Sequence, residues 1–193
     1  MSRLILTLIF TLTALWAPRC SASAGTFLSR QSKAPRFARV HARRHLEVEE
    51  HFRHVGAAWP VQNLFLRAFK RERVLEVWAR GGADRGRVLV WSFPLCAGSG
   101  GLGPKRREGD AQIPEGIYRI ERFNPWSRFH LSLGLNYPNP QDRARAGADN
   151  PGSDIFIHGD CVSIGCLAIE DDPIERLYLV SVLAHDGFNG SCL

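Results

Sequence analysis

Cys166 and His158 are the side chains best suited to covalent chemistry in this chain of 193 residues. They sit eight residues apart in Ile157-His158-Gly159-Asp160-Cys161-Val162-Ser163-Ile164-Gly165-Cys166-Leu167. A free thiol with a pKa near about 8.5 is only about 3% thiolate at pH 7, so a nucleophilic Cys166 needs a base or a cation beside it. His158 titrates near neutrality and can hold the proton of a thiolate–imidazolium pair. The Gly159 carbonyl, or Asp160, could orient the imidazole through its other nitrogen. Gly165, directly before Cys166, lets the backbone turn tightly and aim N–H groups at a developing oxyanion. A zinc site built from His158, Cys161 and Cys166, with Asp160, is the competing use of the same residues. No CxxC pair supports it, and no metal or cofactor is expected. Papain-like peptidases place Cys before His, the reverse of the order here.

Such a pair needs a strand to deliver the histidine and a turn to return the cysteine. Ile155-Phe156-Ile157 is a wholly apolar run of the kind a buried strand requires, and it ends at His158. After the cysteine, Asp172-Pro173-Ile174-Glu175 predicts a helix start, with Asp172 as N-cap, Pro173 in the first turn and Glu175 completing a capping box. Ile174, Leu177, Tyr178, Ser181 and Val182 recur at helical spacing, and Gly187 is the expected stop. Upstream, Leu64–Phe69 and Val74–Ala79 flank a charged turn and predict a hairpin. A turn at 81–86 leads to a third strand over Arg87–Phe93. Two further strands are predicted at Gly116–Arg122 and Phe129–Leu135. Long loops rich in Gly, Pro and charge fill Cys96–Pro114 and Asn136–Ser153. The reading is a β-rich domain over residues 59–193 with one C-terminal helix.

The N-terminal segment differs. Met1-Ser2-Arg3 precedes an uncharged, mostly apolar run from Leu4 to Ala17, and Ala22-Ser23-Ala24 matches the small-residue pattern cut by a signal peptidase. Fourteen residues span roughly 21 Å, short of a hydrocarbon core of about 30 Å. Residues 1–24 are therefore read as an export signal, which places the remainder in a periplasmic or cell-wall space. The formal charge of +6 is concentrated early, because residues 59–193 carry sixteen basic and sixteen acidic side chains. Residues 25–58 are read as a basic leader or linker with a short helix near Leu46–Val55, able to touch an anionic membrane or wall polymer weakly. A neutral main domain argues against nucleic acid as a partner.

Ile157-His158-Gly159 followed by Ser163-Ile164-Gly165-Cys166-Leu167 resembles the signature of the YkuD-type L,D-transpeptidases, a His ahead of Ser-x-Gly-Cys. Pro104–Asp110 and Ile113-Pro114-Glu115-Gly116-Ile117-Tyr118 resemble the stretch leading into that family's central strand. His-Gly-Asp-Cys and the short His-to-Cys interval are closer to its YafK-like murein branch. The resemblance covers about residues 62–186. It implies a mainly β, sandwich- or barrel-like catalytic fold and a Cys thioester formed with a peptidoglycan tetrapeptide stem. D-Ala would leave and the acyl group would pass to an amine acceptor, another stem or a wall-attached protein. By position, Cys166 is then the nucleophile and His158 the base. Gly159 offers the orienting carbonyl, Gly165 and Cys166 the oxyanion N–H groups, and Ser163 belongs to the same motif. Ile164 and Leu167-Ala168-Ile169 replace the His and the Arg or Asn that many members carry around the Cys, so substrate contacts do not transfer. Hydrolysis of a link between peptidoglycan and an attached protein or peptide is the alternative reaction, and a catalytically silent wall-binding domain the alternative class.

Among other candidates, Lys105, Arg106 and Arg107 could meet a substrate carboxylate from the long loop, and Tyr137 could line the same site, although packing suits Tyr137, Trp91 and Trp126 as well. Cys96, Cys161 and Cys192 remain beside Cys166 for structural roles, with a bridge from Cys96 to Cys161 or to Cys192 left open. A catalytic Cys166 is expected to alkylate fast near neutral pH, with His158→Ala slowing it.

Overall fold

The computed structural model of the chain describes residues 26–83 and 86–189, which leaves the segment 1–24 expected to be an export signal, and Cys192, outside the described residues. The first sheet is an antiparallel meander of β1 (Phe65–Phe69), β2 (Val74–Arg80) and β3 (Arg87–Pro94). Its central strand shows the period of two that one buried face demands: Leu75, Val77 and Ala79 are buried, and the residues between them are not. Pairing of β2 with β3 slips between Val77 and Trp78, so Val90 is passed over and β3 buries Val90 and Phe93, three residues apart. One extra residue in a ladder shifts the phase in this way.

The second sheet runs in the order β4 (Ile120–Asn124), β5 (Ser132–Leu135), β6 (Phe156–His158) and β7 (Leu167–Ala168). Pairing is antiparallel up to β6, and β6 and β7 are parallel. The sheets join where the Cys96 N–H donates to the Ala168 carbonyl at 3.0 Å. The predicted strands are present, with later starts for β4 and β5, and the fold is the expected β-rich one. The two-residue β7 was not anticipated. Within the loop 136–153 lies a helix, α3 (Pro140–Ala146), capped by Asn139 and Asp142 in a reciprocal capping box.

The helices depart most from expectation. A short α1 (Phe27–Gln31) is followed by α2 (Pro35–His54), twenty residues rather than a brief helix near 46–55. Neither is a solvated linker. Phe37, Val40, Val48 and Phe52 of α2 are fully buried and belong to the same core as Leu75, Leu133, Ile157 and Tyr178. Arg39, Arg43, Glu47, Glu50 and Arg53 lie exposed on α2, as an amphipathic surface helix requires, while the half-buried Arg36 and Arg44 reach neighbouring elements. The last helix, α4 (Asp171–Asn189), packs between α1 and α2 on one side and β5 and β6 on the other. It begins one residue earlier than the predicted cap, and it runs past Gly187. Asp172 and Glu175 do not form a capping box. Arginines from α2 draw both carboxylates away: Arg44 reaches Asp172 and Glu175, and Arg43 also reaches Glu175.

Candidate active site

His158 closes β6 and Cys166 immediately precedes β7. Ile157 pairs with Leu167 and His158 with Ala168. Side chains alternate along a strand, and paired residues of a parallel ladder point to the same face. His158, Ala168 and Cys166 therefore share one face of the sheet, while Ile157 and Leu167 enter the core on the other. The intervening loop, residues 159–165, is the expected turn.

The ring of His158 is buried, 2% exposed, with Phe129 against it at a centroid distance of 4.8 Å. Its Nδ1 lies 2.6 Å from the Gly159 carbonyl oxygen. A carbonyl only accepts, so Nδ1 carries a proton, and in the neutral ring Nε2 holds the lone pair. Burial pushes the imidazole below its ordinary pKa; the Gly159 carbonyl and the Asp160 charge pull the other way.

Gly159 is enclosed from three directions. A Cβ there would lie 2.6 Å from Asp171 Oδ1, 2.9 Å from His130 Cβ and 3.0 Å from Ile174 Cγ2. Asp171 Oδ1 also accepts the Asp160 N–H at 2.8 Å, tying the loop to the start of α4. His130 is held in turn by Glu175 at 2.9 Å, and its carbonyl accepts from Arg36 of α2. The Asp160 carboxylate accepts the Cys161 N–H at 2.6 Å and makes no hydrogen bond to the imidazole among the described residues.

Cys166 is half-buried, and its thiol faces the Asp154 carbonyl at 3.7 Å. No hydrogen bond joins it to His158 among the described residues. Burial raises the thiol above its ordinary pKa. The Phe156 N–H and the Lys105 charge lower it, and Asp154 adds to the rise. Both shifts act against a thiolate–imidazolium pair in the free protein, the pair that fast alkylation at neutral pH requires.

Gly165 has φ +105°, and a Cβ would stand 3.0 Å from the Gln112 carbonyl. Glycine is needed on both counts. Its N–H donates to Ser99 Oγ at 2.6 Å, so one of the two expected oxyanion donors is occupied. The Ser163 hydroxyl donates to the Cys166 carbonyl at 2.7 Å, which closes the turn instead of facing a substrate.

The loop 96–114 covers this region and is held from inside. Lys70, in the turn after β1, donates to the Gly103 carbonyl at 2.6 Å and the Ile113 carbonyl at 2.9 Å. Lys105 is buried, bonded to Asp110 at 2.6 Å and to the Arg107 carbonyl at 3.0 Å. It is therefore not an open clamp, though its charge reaches Cys166. Arg106 and Arg107 are exposed. Tyr137 is buried and donates to the Pro151 carbonyl at 2.7 Å, with burial and nearby carboxylates pushing its pKa up to about 12. Its place is in the packing of the loop, not on a substrate surface.

Sequence reasoning passed over Ser99, Asp154, Asp171, His130 and Phe129. Each acts through a backbone group or a ring face, and such roles leave no residue-type pattern. A cavity of about 210 Å³ lined by Glu47, Val48, His51, Trp91 and Arg176 includes neither Cys166 nor His158.

A family model describing the YkuD L,D-transpeptidase catalytic domain matches residues 65–181. The match starts at β1, so α1 and α2 lie outside it although they complete the core. The YafK proteins of Escherichia coli strain K12 and of Escherichia coli O157:H7 are each 38% identical to the chain over 117 residues, 60% of this chain and 46% of each relative. The chain thus aligns with about half the length of these relatives. Among solved structures, a mutant of the helical cell shape determining protein Pgp2 from Campylobacter jejuni superposes with a TM-score of 0.51 at 20% identity. That superposition covers 73% of this chain and 51% of Pgp2, and it speaks to the fold alone. Among the described residues no helix is long and apolar enough to cross a membrane.

Proposed function

Because the chain belongs to the YkuD family of L,D-transpeptidase catalytic domains, we propose that it is a cysteine-dependent L,D-transpeptidase of peptidoglycan stem peptides. Cys166 is the nucleophile and His158 the base. The observation that carries this reading is the anchoring of His158 Nδ1 on the Gly159 carbonyl. It leaves Nε2 as the basic nitrogen of a ring that shares a sheet face with Cys166.

In this reaction the Cys166 sulfur attacks the carbonyl carbon of the L-centre that carries the terminal D-Ala. The thiol proton passes to His158 Nε2. Collapse of the tetrahedral intermediate breaks the amide, and His158 returns the proton to the departing D-Ala amine. An amine acceptor then attacks the thioester, gives its proton to His158, and frees Cys166. The resting thiol faces Asp154, and catalytic hydrogen bonds often close only in the substrate complex. The Cys166 N–H supplies the first oxyanion contact, and the Gly165 N–H joins it when Ser99 turns away. The acting compartment is the exported, periplasmic one that the N-terminal sequence implies, and the acceptor is another stem or a wall-attached protein.

The test uses the purified chain with defined disaccharide-tetrapeptides, with and without an amine acceptor, and mass spectrometry of products. Loss of D-Ala with an amine-exchanged product, absent in Cys166→Ala, is expected. Cys166-dependent release of peptides from protein-linked peptidoglycan, without exchange, would replace transfer by hydrolysis. No Cys166-dependent product from either substrate would overturn the catalytic reading.

A further inference from the structure

Three side chains that the proposed reaction does not use converge beside the site. Cys96 follows β3, Cys161 lies in the loop between His158 and Cys166, and Glu170 precedes α4. Their ligand atoms all lie within 4.8 Å of one another. The Cys96 and Cys161 thiols thus face each other within 4.8 Å, and the Cys96 thiol donates to the Asp160 carbonyl at 3.5 Å. Cys161 is exposed, whereas Cys96 is partly covered.

We propose that Cys96 and Cys161 are a disulfide-forming pair that staples the His158–Cys166 loop to the end of the first sheet. The chemistry is thiol–disulfide exchange with a small-molecule or protein disulfide as oxidant. The exposed Cys161 attacks as thiolate, forming a mixed disulfide and releasing one thiol of the oxidant. Cys96 then attacks the Cys161 sulfur and expels the second thiol. Two protein thiols and one oxidant disulfide become one protein disulfide and two oxidant thiols, with both protons leaving on the products.

This order of attack follows from exposure. Cys96 is the poorer first nucleophile, since burial and the neighbouring Cys161 push its pKa up to about 11. A zinc ion is the weaker occupant. Only three ligand atoms converge, two from exposed residues, and no hydrogen bond orients the Glu170 carboxylate among the described residues. Structural zinc takes four ligands with supporting partners behind them. The staple would close a loop of 66 residues, and constraining the unfolded chain over such a length stabilises the fold.

The test reads the linkage, not turnover, so it stands apart from the proposed activity. The purified full chain is incubated with oxidised glutathione, alkylated under denaturing conditions and digested with trypsin. Expected is a peptide of residues 88–105 joined to residues 146–176, lighter by two hydrogens than the two reduced peptides with only Cys166 alkylated. The link should persist in Cys166→Ser and vanish in Cys161→Ser. Reduction should lower Tm by about 5 °C or more in the wild type and leave a Cys96→Ser/Cys161→Ser variant unmoved. Full alkylation of both residues after oxidation would overturn the proposal. So would a link from Cys96 to Cys166 or Cys192, or stoichiometric zinc retained with both thiols reduced.

Discussion

His158 Nδ1 and the Gly159 carbonyl oxygen, from adjacent residues, stand 2.6 Å apart. The acceptor is backbone, so no side chain has to be ordered to hold the imidazole. The holding therefore depends on where the peptide of Gly159 lies. That position is set by Asp171, His130 and Ile174, which leave no room for a Cβ. His130 and Asp171 are in turn placed by α2 and α4, so the imidazole is oriented from elements far along the chain.

Gly159→Ala tests this dependence. The added methyl meets a carboxylate oxygen at 2.6 Å, and overpacking of this kind costs about 1–3 kcal/mol. Tm should fall by several degrees. If Cys166 and His158 act as proposed, activity in the folded variant should fall further than stability alone explains, because the carbonyl moves. Wild-type Tm and turnover in this variant would contradict the argument.

The electrostatics of the resting pair predict a particular pH dependence. Burial raises the Cys166 thiol and lowers the His158 imidazole, so each is shifted toward its neutral form. Alkylation of Cys166 by iodoacetamide should be slow at neutral pH and climb through the alkaline range. His158→Ala should change that rate little while reducing turnover by about 10²–10⁴-fold. A plateau of fast alkylation already at pH 6–7, lost in His158→Ala, would show an ion pair in the free protein instead.

The strands were legible because their signal is local. β2 alternates, and β6 is a short apolar run ending at the histidine. The helix α3 also left a readable mark, Asn139-Pro140 with Asp142 three residues after the cap, lying unused inside a loop rich in Pro and Asn. For α2, Phe37, Val40, Val48 and Phe52 do keep helical spacing. Seven basic residues between 25 and 58 mark the segment as solvated, and charge says nothing about the face that packs inward. At the site, residue types marked Cys166 and His158. Contacts made through backbone, such as Ser99 to the Gly165 N–H or the thiol to the Asp154 carbonyl, depend on tertiary approach and carry no sequence mark.

Asp110 should make the covering loop sensitive to acid. Burial opposes its charge, but Lys105 and the N–H groups of Arg106, Arg107 and Gln112 outweigh it and hold the carboxyl well below the usual range. A carboxylate with a depressed folded pKa stabilises fully above its unfolded value, about 3.9, and loses that contribution as pH falls below it. Asp110→Asn should cost about 1–3 kcal/mol at pH 7, the scale of hydrogen bonds to a charged group. The Tm gap between wild type and variant should narrow below about pH 4. A gap that stays constant to pH 3 would place the effect elsewhere.

The helix α2 decides where the folding unit begins. Residues 59–193 contain all seven described strands, and the family match starts at Phe65, so a truncation there looks natural. Yet four fully buried α2 side chains would be lost, with Phe37 removed from Tyr178 at a ring distance of 5.3 Å. At about 1.5–3 kcal/mol each, roughly 6–12 kcal/mol of burial disappears. That is comparable with the entire stability of a domain, about 5–15 kcal/mol. The Arg43 and Arg44 contacts to Glu175 go with it, leaving a buried carboxylate without its two guanidinium partners. Residues 59–193 alone should therefore show no cooperative melt, and Phe37→Ala in the full chain should cost about 3–5 kcal/mol. A truncated protein that melts cooperatively near the full-length Tm would show that the strands and α4 form a core without α2.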